Sequence, residues 1–421
     1  MKLGNSKIKM GSLMPSFLYA FACTLFLAFI ANFVDLPNLV GNWEEKSRLL
    51  MHLKLYDNYY PPGAAIFLIP FLWNEPSYHL MNLFYFFVSA FTYFKICEEI
   101  RQKVSRRIAL LALPANSYLL WLILTSADQI VELTNLLLFI YFGIRRKFYL
   151  TLFWGFMLCF TRPAYWISYV VLVFALTSFE KHKSKVSILK KCAAVLVLFI
   201  TLLFNQVVFS SPSLSTSSGG TFFYSHEKFH YLSLPKFDMD VLLKNGESTN
   251  AELISKNSSK FMNISDPYLR AGLISITDNP QRFIFSQILK VDSYFFSIQK
   301  IPNLPGQYEL SKDEKSILIG DERLTWPLTL GHLEYAIYRV FSMILLAIIF
   351  VWFVIKFLAK KKISDIEKSL SFPYILSFIP CFLFYTETRF KICSELLLIP
   401  LGFIVLEKLK LFVKAKKECD V

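Results

Sequence analysis

Residues 148–179 read FYLTLFWGFMLCFTRPAYWISYVVLVFALTSF, with Arg145, Arg146 and Lys147 directly before them and Lys181, Lys183 and Lys185 soon after. A helix needs about 20 apolar residues to cross the hydrocarbon core of a bilayer. An apolar stretch this long, broken only at Thr161-Arg162-Pro163, therefore holds two short crossings that turn near Arg162. Lys and Arg collect on the cytoplasmic side of membrane proteins. Basic clusters at both flanks put both ends of the stretch inside and Arg162 outside.

Working outward, apolar runs of similar kind lie at about 13–34, 78–94, 108–127, 129–144, 192–209, 335–358, 370–386 and 392–406. With the double crossing, about ten spans are expected, with both termini cytoplasmic. The first twelve residues carry three lysines before a long apolar segment. A secretory signal has a shorter apolar core of roughly 7 to 15 residues, so this segment reads as a retained first span. Residues 62–73 are apolar but too few to cross, and read as a helix lying in the outer interface or re-entering from it.

Charge tests this topology. The chain has 421 residues, 55% of them hydrophobic and only 18% charged, where an ordinary soluble domain carries about 25% charged residues. The formal net charge of +14 resolves into +18 on the six segments expected inside (1–12, 95–107, 145–147, 180–191, 356–368 and 407–421) and −4 elsewhere. The basic excess is thus an orientation signal, and nucleic acid is excluded as the partner it implies. All seven cysteines fall in spans or at cytoplasmic ends, so no disulfide framework or cysteine metal cage is indicated. The expected fold is an all-α membrane protein: an N-terminal transmembrane module (1–209) with a first outer loop (35–77), a large, mostly helical extracytoplasmic loop (210–334), and a C-terminal module (335–421) with a basic cytoplasmic tail. The compartment expected is the bacterial plasma (inner) membrane.

Several constellations carry chemistry. The first outer loop holds four carboxylates, Asp35, Glu44, Glu45 and Asp57, followed by Tyr60-Pro61-Pro62-Gly63. A partly desolvated carboxylate at the membrane surface serves as a general base or a metal ligand toward a hydroxyl acceptor; the bland alternative for Asp35 is a residue marking where the span meets water. Arg162, Arg389 and Lys391 are cations on the side opposite the general bias, as an anion such as a lipid phosphate would require; a snorkelling Arg or a pair with Glu387 is the alternative. Asp128 ends one span with Glu132 one turn on, for which a helix cap and a first-turn acid are the stronger reading. His226-Glu227-Lys228-Phe229-His230 matches a zinc-protease pattern, but Gly219-Gly220 and Pro235 deny it a helix, and it reads as a chance match. In the large loop, Asn279-Pro280 opens a helix, on which Phe283, Ile284, Ile288 and Val291, with Phe295 beyond, recur at helical spacing as a face that rests on the membrane surface.

Taken in order, an Asp after span one (Asp35), Tyr60-Pro61-Pro62 before a short apolar helix, an Asp ending a span (Asp128), Thr161-Arg162-Pro163, Asn279-Pro280 with Lys290, and Glu387-Thr388-Arg389-Phe390-Lys391 before Glu395 resemble the GT-C membrane glycosyltransferases of the protein-mannosyltransferase and aminoarabinose-transferase kind. The resemblance implies a GT-C-like bundle that moves a sugar from a polyprenyl-phosphate donor to a glycan, lipid or protein acceptor outside the membrane. It makes Asp35 the catalytic base, Arg162, Arg389 and Lys391 the holders of the donor phosphate, and Tyr60, Pro61, Pro62, Asp57, Asp128 and Lys290 the substrate pocket. It implies no firm cofactor and leaves a divalent metal open. The chain departs from the family where Asp35 lacks a following acid and where Gly63 replaces the usual large apolar residue. The rival readings are a membrane polysaccharide polymerase or ligase, then a transporter or flippase, then a zinc metalloprotease.

If Asp35 is the base, Asp35→Asn abolishes transfer from a lipid-linked sugar while membrane insertion is unchanged. Full activity of that variant in the same assay removes the assignment.

Overall fold

The computed structural model of the chain describes residues 13–33, 43–52, 63–72, 77–125, 127–177, 280–291, 294–295, 308–310, 317–319, 325–383 and 391–419, with scattered positions in 191–203 and 273–277. The described residues are mostly helical. In chain order the helices are α1 (Met14–Phe33), α2 (Trp43–Met51), α3 (Gly63–Leu68), α4 (Ser77–Cys97), α5 (Lys103–Leu111), α6 (Ser117–Thr125), α7 (Ala127–Ile144), α8 (Phe148–Thr161) and α9 (Trp166–Thr177). They continue with α10 (Pro280–Val291), α11 (Thr325–Leu358), α12 (Asp365–Leu383), α13 (Ile392–Glu395) and α14 (Leu398–Cys419). Between α10 and α11, strand β1 (Tyr308–Leu310) pairs antiparallel with β2 (Ile317–Ile319), Tyr308 opposite Ile319.

Among the described residues three helical segments are long and apolar enough to cross a membrane: 14–31, 79–97 and 336–358. A fourth arises if 117–124 and 128–144, which meet at a bend of 120°, count as one broken span. This falls short of the ten expected, for local reasons. The run at 108–127 is interrupted at Pro114, whose missing N–H stops a helix, and Asn116 restarts one by accepting a hydrogen bond from the Leu119 amide at 3.0 Å. The stretch read as a double crossing breaks at Arg162, into helices of 14 and 12 residues that are each shorter than a full span. Helix α12 opens with Asp365, Glu367 and Lys368, so its apolar part is short. The run at 192–209 lies largely outside the described residues.

The surface matches an apolar surrounding. On α1, Phe17, Leu18, Phe21, Leu25 and Phe29 are each at least half exposed, and on α11 Ile337, Ile344, Phe350, Val351 and Phe357 are as well. Contiguous apolar faces of this size on a water-soluble monomer are rare. The short helix α3, expected to lie flat or to re-enter, is inserted: Ala64, Ala65 and Leu68 are buried and α3 packs on α2, α7 and α8. Small residues allow the close approaches. A Cβ on Gly155 would stand 2.7 Å from Tyr169 Cε2 and 2.8 Å from Phe139 Cε2, so only glycine lets α8 meet α7 and α9 at this distance.

Four of the six segments expected on the cytoplasmic side, 95–107, 145–147, 356–368 and the described part of 407–421, gather at one end. Arg145 pairs with Glu99 at 3.4 Å and Arg146 with Asp365. The Glu407 carboxylate accepts the backbone amides of Arg101 and Gln102, capping the start of α5 from α14. Glu367 joins three helices: it accepts from Trp352 Nε1 at 2.8 Å, Lys356 Nζ at 2.5 Å and Lys408 Nζ at 3.0 Å, and from the Ser364 amide at 2.6 Å. Burial raises the Glu367 pKa, but the hydrogen bonds from Lys356, Trp352 and Ser364 and the charge of Lys408 outweigh it and hold the group at about 2, below its ordinary 4.5.

Because the folded-state pKa is depressed, this clamp contributes its full stability above about pH 4.5 and loses it as pH falls toward 2, a difference of the order of 3 kcal/mol. Thermal unfolding in detergent across that window should show a falling midpoint that Glu367→Gln flattens. Equal slopes for both proteins would exclude Glu367 as the source. In the same assay Gly155→Val should cost about 1–3 kcal/mol by overpacking.

Candidate functional site

At the opposite ends of the same helices the polar residues meet. Helix α8 ends at Thr161, and Arg162 is extended (φ −137°, ψ 102°) before Pro163 starts a single 3-10 turn. That break turns the Arg162 side chain onto α7, where Asp128 and Glu132, four residues apart, share one face. Arg162 Nη2 lies 2.8 Å from Asp128 Oδ2 and Nε lies 2.8 Å from Glu132 Oε2. Tyr165 donates to Glu132 Oε1 at 2.9 Å, and Gln129 Nε2 to Glu132 Oε2 at 3.1 Å. The Glu132 side chain is 0% exposed. The Arg162 guanidinium thus pairs with two carboxylates, a strong arrangement, and an acid as deep as Glu132 is tolerated because Arg162, Tyr165 and Gln129 all donate to it.

A second group lies beside the first. Gln129 Nε2 is 3.0 Å from Cys393 Sγ on α13, and Tyr165 interacts with Ser394. Glu395 of α13 pairs with Arg339 Nη1 of α11 at 2.5 Å and accepts from Ser342 at 2.5 Å. Arg339 Nη2 donates to the carbonyl oxygens of Tyr294 at 2.8 Å and Phe295 at 2.9 Å. Lys391 Nζ donates to the same Tyr294 oxygen and stands 5.3 Å from the centre of its ring. Tyr294 in turn donates to the Tyr374 carbonyl at 2.8 Å, with Ser377 Oγ also at 2.8 Å. Lys290, one face along α10, donates to the Phe382 carbonyl at 3.1 Å.

The first loop reaches the same place. Built on Gly63, a Cβ would stand 2.8 Å from the Thr161 Cα and 2.9 Å from its amide nitrogen. The glycine where a large apolar residue was expected is thus what seats α3 against the Thr161-Arg162 corner. Asn135 Nδ2 donates to Thr161 Oγ1 at 3.1 Å and ties that corner to α7.

Of the expected site residues, Asp128, Arg162, Lys290 and Lys391 are brought into one polar seam. Asp35, Asp57, Tyr60, Pro61, Pro62 and Arg389 lie outside the described residues, as does the 226–230 motif. Asp128 is more than a cap: it holds a guanidinium. Glu132, expected to be a first-turn acid of little consequence, is the centre of the network. Lys290 and Lys391 are fully buried with their ammonium groups on backbone carbonyls. Helix α10 carries Ile284 and Ile288 of its apolar stripe exposed, while Gln287 and Lys290, and Tyr294 just beyond the helix, face the protein. Arg339, Tyr165 and Tyr294 had not been singled out. Arg339 had a signal, being the sole charge between Glu334 and Lys356 in an apolar run, and ionisable groups inside spans are functional candidates by default.

Among the described residues no three His, Cys, Asp or Glu side chains are grouped to hold a metal. Asp128 and Glu132 do not fit a divalent cation as they stand, because their oxygens face the Arg162 guanidinium. The chain matches no family model, no curated protein and no solved structure.

Removing one partner of a buried ion pair strands the other, at about 3–5 kcal/mol. Arg162→Met and Glu132→Leu should each cost that much, and the double variant should recover a large part of it in a thermal double-mutant cycle. Additive losses would show that the two side chains are energetically independent.

Proposed function

We propose that the chain is an integral membrane glycosyltransferase of GT-C type that takes a sugar from a polyprenyl-phosphate donor at the outer face of the membrane. The observation that carries the reading is the convergence of motifs far apart in sequence. Gly63 after the Tyr-Pro-Pro stretch, Asp128, Thr161-Arg162, Lys290 and Lys391 through Glu395 all contribute to one buried polar seam. The seam lies at the ends of helices whose other ends carry the basic clusters, which in this reading face the cytoplasm. From Arg339 to Lys356 along α11 the rise is about 25 Å, close to a hydrocarbon thickness of about 30 Å. A phosphate at the seam would leave its lipid tail beside the exposed apolar faces of the bundle.

In this reaction the bond between the sugar's anomeric carbon and the phosphate oxygen breaks, and a bond from the acceptor oxygen to that carbon forms. The acceptor's proton passes to the base, for which Asp35 is the candidate, and polyprenyl phosphate leaves with the charge of the broken bond. What the protein must supply is a cation for that charge, a base and a dry, oriented pocket. The network around Arg162 contributes orientation: its charge is already balanced by Asp128 and Glu132, so it holds the corner between α3, α7 and α8 in shape. The region 210–334 and the ten-span bundle with both termini inside belong to the same proposal, as does the assignment to a bacterial plasma membrane.

The test is purified full-length protein in nanodiscs given a panel of polyprenyl-phosphate hexoses and pentoses, with release of polyprenyl phosphate as the readout. Release is expected with at least one donor, and Arg162→Ala, which lets the corner between α3, α7 and α8 shift, should lower it by about 10² through misorientation of the pocket. No release with any donor, together with Asp35→Asn cells indistinguishable from wild type in envelope glycans, would overturn the reading.

A further inference from the structure

At the basic end of the bundle two helices finish in the same way. The Lys147 amide donates to the Phe142 carbonyl at 2.9 Å and the Arg146 amide to that of Gly143 at 3.0 Å, closing α7. The Lys361 amide donates to the Lys356 carbonyl at 2.8 Å and the Lys360 amide to that of Phe357 at 3.0 Å, closing α11. Such a double closure puts one residue in the left-handed region, where glycine is the usual choice because it has no Cβ to clash. Here those residues are Arg146 (φ 54°) and Lys360 (φ 50°), within the runs Arg145-Arg146-Lys147 and Lys360-Lys361-Lys362. Arg146 pairs with Asp365, three residues beyond the second run, so the two runs adjoin. The acids that border them are engaged: Glu99 with Arg145, Asp365 with Arg146, and Glu367 with Lys356 and Lys408. Lys361 lies 4.8 Å from the centre of the Phe412 ring. Lys147, Lys360 and Lys362 are exposed, and among the described residues no hydrogen bond or ion pair holds their ammonium groups. One cation offsets the dipole at a helix C-terminus; three at each of two adjoining ends leave positive charge over. Next to these lysines in sequence stand apolar side chains turned outward: Tyr149 is 80% exposed, Phe357 82% and Leu358 73%.

We propose that the adjoining ends of α7 and α11 bind the phosphate of an anionic glycerophospholipid through Lys147, Lys360 and Lys362, with its acyl chains along Tyr149, Phe357 and Leu358. Free cations beside exposed apolar side chains match an amphipathic ligand, whose charge is met at the headgroup level while its chains stay in hydrocarbon. A soluble anion would answer the lysines and leave the aromatic and leucine side chains without a partner. Ending both helices at a left-handed residue keeps the lysines at the level where Phe357 and Leu358 leave the hydrocarbon, and a cation placed there adds charge that glycine would not. The site lies at the opposite end of the helices from the Arg162 corner. It rests on no part of the glycosyltransferase reading and requires only a bilayer around the bundle.

The test is native mass spectrometry of the full-length protein in detergent micelles, titrated with dioleoyl phosphatidylglycerol or dioleoyl phosphatidylcholine, reading the dissociation constant of the first lipid retained. A cation at the headgroup level is worth about fivefold in affinity for an anionic lipid, so three give a preference for phosphatidylglycerol of about 10². The triple variant Lys147→Gln, Lys360→Gln, Lys362→Gln should bind the two lipids within about twofold of each other. Its melting midpoint without lipid should not fall, because these side chains hold no other part of the fold. Replacing Arg101, Lys103 and Arg107, exposed cations of the same end, by Gln should leave the preference in place; an equal loss there would make net charge the cause and overturn the site. Lys360→Gly separates binding from structure. Relief of the left-handed position should raise the lipid-free midpoint while affinity for phosphatidylglycerol drops about fivefold, and Lys360→Arg should keep that affinity. If Lys360→Gly lowers both, Lys360 acts through the fold and the assignment fails. Equal affinity of the wild type for the two lipids, or displacement of bound phosphatidylglycerol by millimolar inorganic phosphate at constant ionic strength, would also overturn the lipid site.

Discussion

A charge held away from water must be met by an opposite charge or an oriented dipole, and the described part of this molecule is arranged around that requirement. Its bundle presents apolar faces outward and carries buried ionic side chains at two levels. At one level Glu367 gathers Lys356, Lys408, Trp352 and Ser364. At the other, Arg162, Glu132 and Asp128, then Arg339, Glu395 and Lys391, each find partners on a different helix. Helix packing follows from these pairings as much as from shape. Where two partners are 30 or more residues apart, satisfying the charge fixes which helices are neighbours.

The two groups at the polar seam differ in a way that bears on chemistry. Arg162 faces two carboxylates and is electrostatically complete. Arg339 pairs with Glu395 and donates, as Lys391 does, to the Tyr294 carbonyl oxygen. The seam thus divides into a corner where α3, α7 and α8 meet and a second group that joins α11 and α13 to Tyr294.

Parts of this were legible from the residue order. The break at Thr161-Arg162-Pro163 was, because proline ends a helix wherever it falls; so were the long apolar helices at 14–31, 79–97 and 336–358, and the start of α10 at Pro280. The grouping of residues 95–107, 145–147, 356–368 and 407 onward at one end followed from their charge bias. Other features were not. The interruption at Pro114 was passed over because flanking apolar residues made 108–127 look continuous. Helix α10 turns Ile284 and Ile288 outward as its apolar stripe implies, but the docking of its polar side was not legible, because the Phe382 carbonyl that takes the Lys290 ammonium lies 92 residues away in sequence.

The sequence by itself determined that the chain is mostly helical, strongly apolar, charged with a directional bias, and marked by a few ionisable residues where ionisable residues are expensive. Those properties are local, set by the composition of a window and by backbone rules that need no distant partner. Only the tertiary structure decided that Glu132 is the hub of the Arg162 corner, that Gly63 is required by the Thr161 backbone, and that Arg339 and Lys391 share one carbonyl oxygen. Such pairings depend on which helix faces which, and distances of a few ångströms between residues 30 to 98 positions apart are consequences of the whole bundle, not of any stretch within it.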